Sequence, residues 1–398
     1  MTHKDSVYVI DLETSIKNRG DEAIGKMKAS PHCPKNDIVY LGVKNVLDGT
    51  SGITKYKDRP VSRTDDIEVL VGQNIKFDLL YLMRNEKFRN IDLPKIQVWD
   101  TMLAEHLLTG QQSKMMSLDK LVIKYGGTIK DDRLKEMWEN DIDTEDIDES
   151  IIKPYLQADL DNTQLVFEAQ IAKAKELGML PLIRSQMDAL LATAEMEFNG
   201  MHFDKAGALE KGDKLQAKLN DIEVGLFMYM KSRLPHIGVT DITPSSTRQV
   251  SLVLFGGEDK IRVPRPMLDT DGNEIRYKTG PRKGQVRTRL EDEIKVISRH
   301  VDTRYTQETK KKGVYVVNDE VLNNIIDKTP RGNSVNTFCK KLIKYRELSK
   351  DISTYYDGYS DLVWPHDSCI HPQYNQCIAA TGRLSHSAPN LGNVSHKK

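Results

Sequence analysis

Apolar positions in the first hundred residues fall in short blocks. Val7-Tyr8-Val9-Ile10 and Ile38-Val39-Tyr40-Leu41-Gly42-Val43 are β-branched and aromatic runs of strand length, separated by a charged connection containing Gly and Pro. They predict neighbouring strands of one sheet. From Asp100 onward the spacing changes to three and four: Met102, Leu103, His106 and Leu107, then Leu118, Leu121 and Val122, predict helices. Pro154 is expected in the first turn of a long helix running through Leu160, Leu165, Val166 and Ile171 to a stop at Gly178. Strands first and helices later, over about 180 residues, make an α/β or α+β domain.

A second apolar-periodic segment, Leu182 to Phe198, ends at Asn199-Gly200, and a charged helical stretch is expected from about Lys205 to Arg233. The second half therefore reads as mostly helical. Asp269-Thr270-Asp271-Gly272-Asn273 and Thr279-Gly280-Pro281 are turn clusters. Between Arg276 and Arg289 lie six basic residues and no acidic one, which reads either as a solvated loop or as a phosphate-contacting tip. There is no internal repeat or low-complexity segment.

At 398 residues and 45.3 kDa the chain is long enough for two or three domains. Its 58 basic and 58 acidic side chains cancel, but residues 1–199 carry 26 basic against 34 acidic, and residues 200–398 carry 32 against 24. The basic half is better suited to a phosphate backbone. The N-terminus has no long apolar region of signal-peptide type and no stretch approaches a membrane span, so a soluble intracellular protein is expected. Cys33, Cys339, Cys369 and Cys377 form no CxxC pair, and Cys369 with His371 lacks a second ligand pair, so neither a disulfide scaffold nor a zinc site is indicated.

The chemistry lies in carboxylates. Asp11 and Glu13 end the first strand two residues apart and so share a face, as metal ligands must. Gly72-Gln73-Asn74-Ile75-Lys76-Phe77-Asp78 places amides before an Asp flanked by apolar residues. Asp100, after Val98-Trp99, is another strand-to-helix acid, for which helix capping is an equal explanation. Tyr155 and Asp159 stand four apart on one helix face. Four carboxylates from three elements can hold two divalent cations about 4 Å apart for phosphodiester hydrolysis. Hard oxygen ligands suit Mg²⁺ or Mn²⁺.

Asp11-x-Glu13, Asn74-x-x-Phe77-Asp78 and Tyr155-x-x-x-Asp159, in that order, closely resemble the three exonuclease motifs of the DEDD superfamily, tyrosine subclass, whose fold is RNase H-like. The resemblance implies Asp11, Glu13, Asp78 and Asp159 as metal ligands and Tyr155 as the residue orienting the attacking water. It implies Gln73, Asn74 and Phe77 as the lining of the groove for a 3′ end.

Further on, Leu190 to Asp204 resembles the opening of the polymerase region of family A DNA polymerases, and Pro244-Ser245-Ser246-Thr247-Arg248-Gln249 with Leu252 to Gly256 resembles a capped helix of that family. Thr381-Gly382-Arg383-Leu384-Ser385-His386-Ser387-Ala388-Pro389-Asn390-Leu391 is similar to the segment running along the primer–template duplex, which implies DNA contacts for Thr381, Arg383 and Asn390. The sequence stops at Lys398, before the family's palm aspartates and fingers, and Asn393 to Lys398 departs from the family pattern. A truncated chain or a naturally split polymerase would account for this, and the split is the expectation here.

The expected architecture is α/β: an RNase H-like exonuclease domain (1–180), a mostly helical thumb-like region (181–370) and an incomplete palm fragment (371–398). The resemblance implies Mg²⁺- or Mn²⁺-dependent 3′-5′ proofreading in DNA replication. It implies as partners primer–template DNA, single-stranded 3′ ends, a second polypeptide carrying the rest of palm and fingers, and a processivity factor, with no membrane. Polymerisation is expected only in that assembly. The setting would be the cytoplasm, that of an infected bacterium for a phage-like enzyme. The rivals are a noncatalytic DNA-binding or assembly subunit and an RNA-trimming exonuclease of the DEDD superfamily.

Overall fold

β-Branched and aromatic residues build the first strands, and their pairing puts the acidic strand at the middle of a sheet. In the computed structural model, which describes residues 6–58, 67–84, 96–129 and 133–394, β1 (Val7–Thr14) runs antiparallel to β2 (Ile38–Asn45), and β3 (Ser51–Lys55) extends that edge. On the other side β4 (Val69–Gly72) pairs parallel with β1, and β5 (Gln97–Asp100) parallel with β4. The order is β3-β2-β1-β4-β5, a mixed sheet.

Each parallel strand feeds a helix: α1 (Lys76–Leu82) follows β4, and α2 (Thr101–Leu108) follows β5. Then come α3 (Leu118–Lys124), α4 (Arg133–Glu139), α5 (Glu149–Glu176) and α6 (Leu180–Asn199). Val9, Val71 and Trp99 from the sheet pack with Leu79, Leu103, Leu107 and Met187 in one core. Helix α5 starts earlier than Pro154 predicts. Asp148 caps it by accepting from the Ser150 N–H, which leaves Pro154 beyond the first turn, where it cannot donate to the Ser150 carbonyl.

The chain divides into two compact units, Met1–Ala206 with Gly358–Lys398, and Gly207–Asp357. In the first, Met201–His202 pairs with Cys369–Ile370, and Gln373–Asn375 forms a small ribbon with Ser385–Ser387. The second has its own core, in which Leu226, Met230, Leu254, Leu322, Phe338 and Leu342 pack together. They come from α7 (Lys205–Arg233), α8 (Thr247–Phe255), α9 (Asp319–Lys328) and α10 (Ser334–Asp351). Ser246 caps α8 through the Gln249 N–H, and Gly256, at φ 67°, ends it.

One feature of this unit is absent from the helical pattern. Gly257–Pro266 and Thr288–Ile297 form an antiparallel ribbon, in register from Gly257 opposite Ile297 to Pro266 opposite Thr288. Both faces are largely exposed, and the brief alternation of Ile261 and Val263 with charges on one strand is too short to mark it in the sequence. No described helix is long and apolar enough to cross a membrane. The C-terminal residues 395–398, within the atypical ending that starts at Asn393, lie outside the described residues.

Candidate active site

Strand alternation turns Ile10 and Leu12 into one layer and Asp11 and Glu13 onto the opposite face. On that face Asp11 lies opposite Gly42 and Glu13 opposite Tyr40. Gly42 has a steric function. A Cβ there would meet Leu156 Cγ at 2.9 Å and Leu160 Cδ1 at 3.1 Å, so the missing side chain lets α5 settle onto the sheet. Leu156 and Leu160 are fully buried, each contributing roughly 1.5–3 kcal/mol of apolar burial. The turn of α5 that carries them also carries Tyr155 and Asp159.

Carboxylate oxygens of Asp11, Glu13 and Asp159 lie within 4.8 Å of one another, and Glu13 and Asp159 are buried. Tyr155 stands edge-on to Trp138 at 6.0 Å. Burial pushes its phenol well above the usual range, and the charges of Asp159, Glu13 and Asp11 push it further. The phenol is thus a neutral donor and acceptor at any physiological pH. Three oxygen donors converging in a half-dry site fit a hard divalent cation.

Asp78 is tied to the same strand, with its carboxylate outside the 4.8 Å group. Its Oδ1 accepts from the Leu12 N–H at 3.1 Å, on the backbone between the two strand acids. Burial raises its pKa far above the ordinary value, against the opposing effect of that hydrogen bond. Asp100 is a cap. Its Oδ1 accepts from Met102 N–H at 2.8 Å, Leu103 N–H at 3.1 Å and Asn74 N–H at 3.3 Å, and burial lifts the carboxyl to about 6.

The Gln73 amide is held from both ends. Gln73 donates to the Met116 carbonyl at 2.8 Å and accepts from the Thr101 hydroxyl at 2.5 Å, while Asn74 takes φ 53°. Asn74 and Phe77 line a cavity of about 200 Å³ with Lys76, Glu197, His371 and Gln373, and the three acids are not in its wall. Thr381, Arg383 and Asn390 are exposed on the C-terminal segment, where the Asn390 side chain accepts from the Gly392 N–H at 3.1 Å.

Two contributors escaped the sequence pattern. Asp119, in the first turn of α3, adds its charge to those raising the Tyr155 phenol. Lys76 forms a nearly buried ion pair with Glu197 at 2.6 Å and donates to the Tyr374 carbonyl at 2.5 Å. An acid in a first helical turn reads as dipole stabilisation, and contacts across more than a hundred residues leave no local signal.

Residues 63–167 match the family model described as 3'-5' exonuclease, and residues 283–398 match DNA polymerase family A. The two matches fall on separate stretches, each less than a third of the chain. Among curated proteins the chain is similar to a thermostable DNA polymerase I of Thermus aquaticus, 49% identical over 55 residues, which is 14% of this chain and 7% of that protein. The DNA polymerase I of Chloroflexus aurantiacus is 42% identical over 84 residues, 21% of this chain and 8% of that protein. The DNA polymerase I of Bacillus subtilis is 23% identical over 209 residues, 52% of this chain and 17% of its own length. The matches thus span less than a fifth of these relatives. Among solved structures, the POL domain of Pol1 from M. smegmatis, in complex with DNA primer-template and dNTP, superposes with a TM-score of 0.61 at 17% identity, over 99% of this chain and 53% of that one. That likeness concerns the fold.

Proposed function

We propose that the chain is a metal-dependent 3′-5′ DNA exonuclease that removes mispaired nucleotides from primer ends during DNA replication. The observation that carries this is the convergence of Asp11, Glu13 and Asp159 within 4.8 Å, with the Tyr155 phenol in the field of their charges. Asp11, Glu13 and Asp159 would hold Mg²⁺ or Mn²⁺, with Asp78 completing the set. Bound there, such ions would make water a better nucleophile and stabilise the leaving 3′ oxygen.

The chain's own residues do the rest. Tyr155, neutral at working pH, accepts or donates one hydrogen bond and so orients the attacking water. Gln73, Asn74 and Phe77 line the path of an unpaired 3′ end, and Thr381, Arg383 and Asn390 contact the primer–template. An unpaired end is preferred because bases must separate before the terminal phosphate can reach buried carboxylates. We assign the exonuclease role to residues 1–180, a thumb role within 181–370 and the palm start to 371–398. We place this work in the cytoplasm, in a phage-type replication setting where a processivity factor assists.

The test is digestion of a 5′-labelled primer–template with a mismatched 3′ end, with Mg²⁺ or Mn²⁺ and all four nucleotides, by the chain and by its Asp11→Ala/Glu13→Ala variant. Stepwise 3′ shortening by the parent and none by the variant is expected. No shortening would make the acids a relic and favour a binding subunit. Faster trimming of RNA 3′ ends would favour the RNA enzyme.

A further inference from the structure

Within the Gly207–Asp357 unit the ribbon of Gly257–Pro266 and Thr288–Ile297 has ten residues in each strand, so its shaft runs about 33 Å at the usual rise per residue. Along the shaft the charges cancel. Lys260 and Arg262 pair with Asp292, Arg265 and Lys295 with Glu293, and Arg289 with Glu291. At the tip they do not. Arg276 pairs with Glu274, but Lys278, Arg282, Lys283 and Arg287 are exposed and meet no carboxylate among the described residues.

These four cations stand on ordered backbone. Met267 N–H bonds to the Arg287 carbonyl at 2.7 Å, Arg287 N–H to Ile275 at 2.7 Å, Tyr277 N–H to Gln285 at 3.0 Å and Gly284 N–H to Tyr277 at 2.9 Å. Gly280 and Gly284, both with φ near 80°, close the last turn and set Arg282 and Lys283 at its crest. Arg287 lies over the Tyr277 ring, its guanidinium 5.5 Å from the centroid.

We propose that this tip, residues 276–287, is a contact surface for the phosphate backbone of duplex DNA; the proposal rests on the reading of the chain as a DNA enzyme. A shaft that neutralises itself and a tip that does not concentrate positive charge at the far end, which is what a regularly charged polyanion selects. A two-stranded ribbon is also narrow enough for a DNA groove, so the tip can reach phosphates on both strands. Lysine and arginine contacts of this kind fix position without reading sequence.

The test measures duplex primer–template binding against salt in the Asp11→Ala/Glu13→Ala background without divalent metal, which prevents digestion. Three chains are compared: the parent, K278Q/R282Q/K283Q/R287Q at the tip, and K211Q/K214Q/K218Q/K340Q, which removes the same charge from exposed helical positions. Every phosphate that the protein ceases to neutralise makes the slope of log K against log salt shallower by about 0.9, so the tip variant should be shallower by roughly 3 to 4 for any duplex sequence. The helical variant keeps the parent slope. An unchanged slope in a tip variant that still binds overturns the proposal alone, as does an equal flattening in the helical variant. A parent chain that binds no DNA overturns it together with the reading it rests on.

Discussion

Gly42, Tyr155 and Asp100 each act through one physical property. At Gly42 the property is absence. A methyl there collides with Leu156 Cγ at 2.9 Å and has no room to turn, because Leu160 closes the other side at 3.1 Å. Gly42→Ala is therefore expected to cost about 1–3 kcal/mol in urea unfolding, with a fall in nuclease rate as Tyr155 and Asp159 ride outward on α5. At Tyr155 the property is the hydroxyl. Tyr155→Phe keeps the ring against Trp138 and should lower kcat roughly 10²-fold while leaving divalent-ion binding, read by titration calorimetry, unchanged. At Asp100 it is a buried charge. Burial raises its folded pKa to about 6, above the ordinary carboxylate value, so the folded state holds a proton that the unfolded state has released. Stability from this group is complete below pH ~4 and lost as pH rises through about 6. Asn can still accept from Met102 and Leu103 N–H, so Asp100→Asn keeps the cap and should flatten unfolding free energy between those pH values.

Helix α5 brings the chemistry to the sheet, yet it carries a proline that breaks its own ladder. An interior proline costs about 3 kcal/mol in the helix and returns about 1 kcal/mol by stiffening the unfolded chain, so Pro154→Ala should stabilise by about 2 kcal/mol. An unchanged urea midpoint would mean that the Ser150 carbonyl is already well served. The elements that sequence reveals are those with one wet and one dry face. β1 and β2 follow from their β-branched runs, and α7 begins and ends at Lys205 and Arg233 as its charges suggest. The strand acids and the Tyr155–Asp159 pair are legible because two and four are the periods of a strand and a helix face. The ribbon is not legible: Ile261 and Val263 alternate with charges on one strand, but the opposite strand reads Leu-Glu-Asp-Glu-Ile, and neither face is covered. Nor is Gly42 legible, since what makes it necessary is a helix more than a hundred residues away.

At the scale of the whole molecule, the first unit is assembled from two distant stretches of chain, and a charged clasp joins them. Glu197 Oε1 accepts from Lys76 at 2.6 Å and from the Tyr374 N–H at 2.7 Å, while the Glu197 carbonyl meets His371 Nδ1 at 2.7 Å. Burial raises the Glu197 carboxyl and Lys76 opposes that, so the charged pair persists because each partner compensates the other's lost hydration. Glu197→Ala strands a lysine whose side chain is only 14% exposed and should cost about 3–5 kcal/mol, whereas Lys76→Met/Glu197→Leu should recover much of that loss. The readout can be confined to one unit, because Trp99, Trp138 and Trp364 all belong to the first. Tryptophan fluorescence in urea should therefore shift to lower midpoint in Glu197→Ala, while amide exchange of Thr247–Phe255 and Ser334–Asp351 in the second unit stays at the parent rate. If the exchange of those helices accelerates in step with the tryptophan transition, the two units unfold as one, and the clasp stabilises the whole chain rather than the unit it closes.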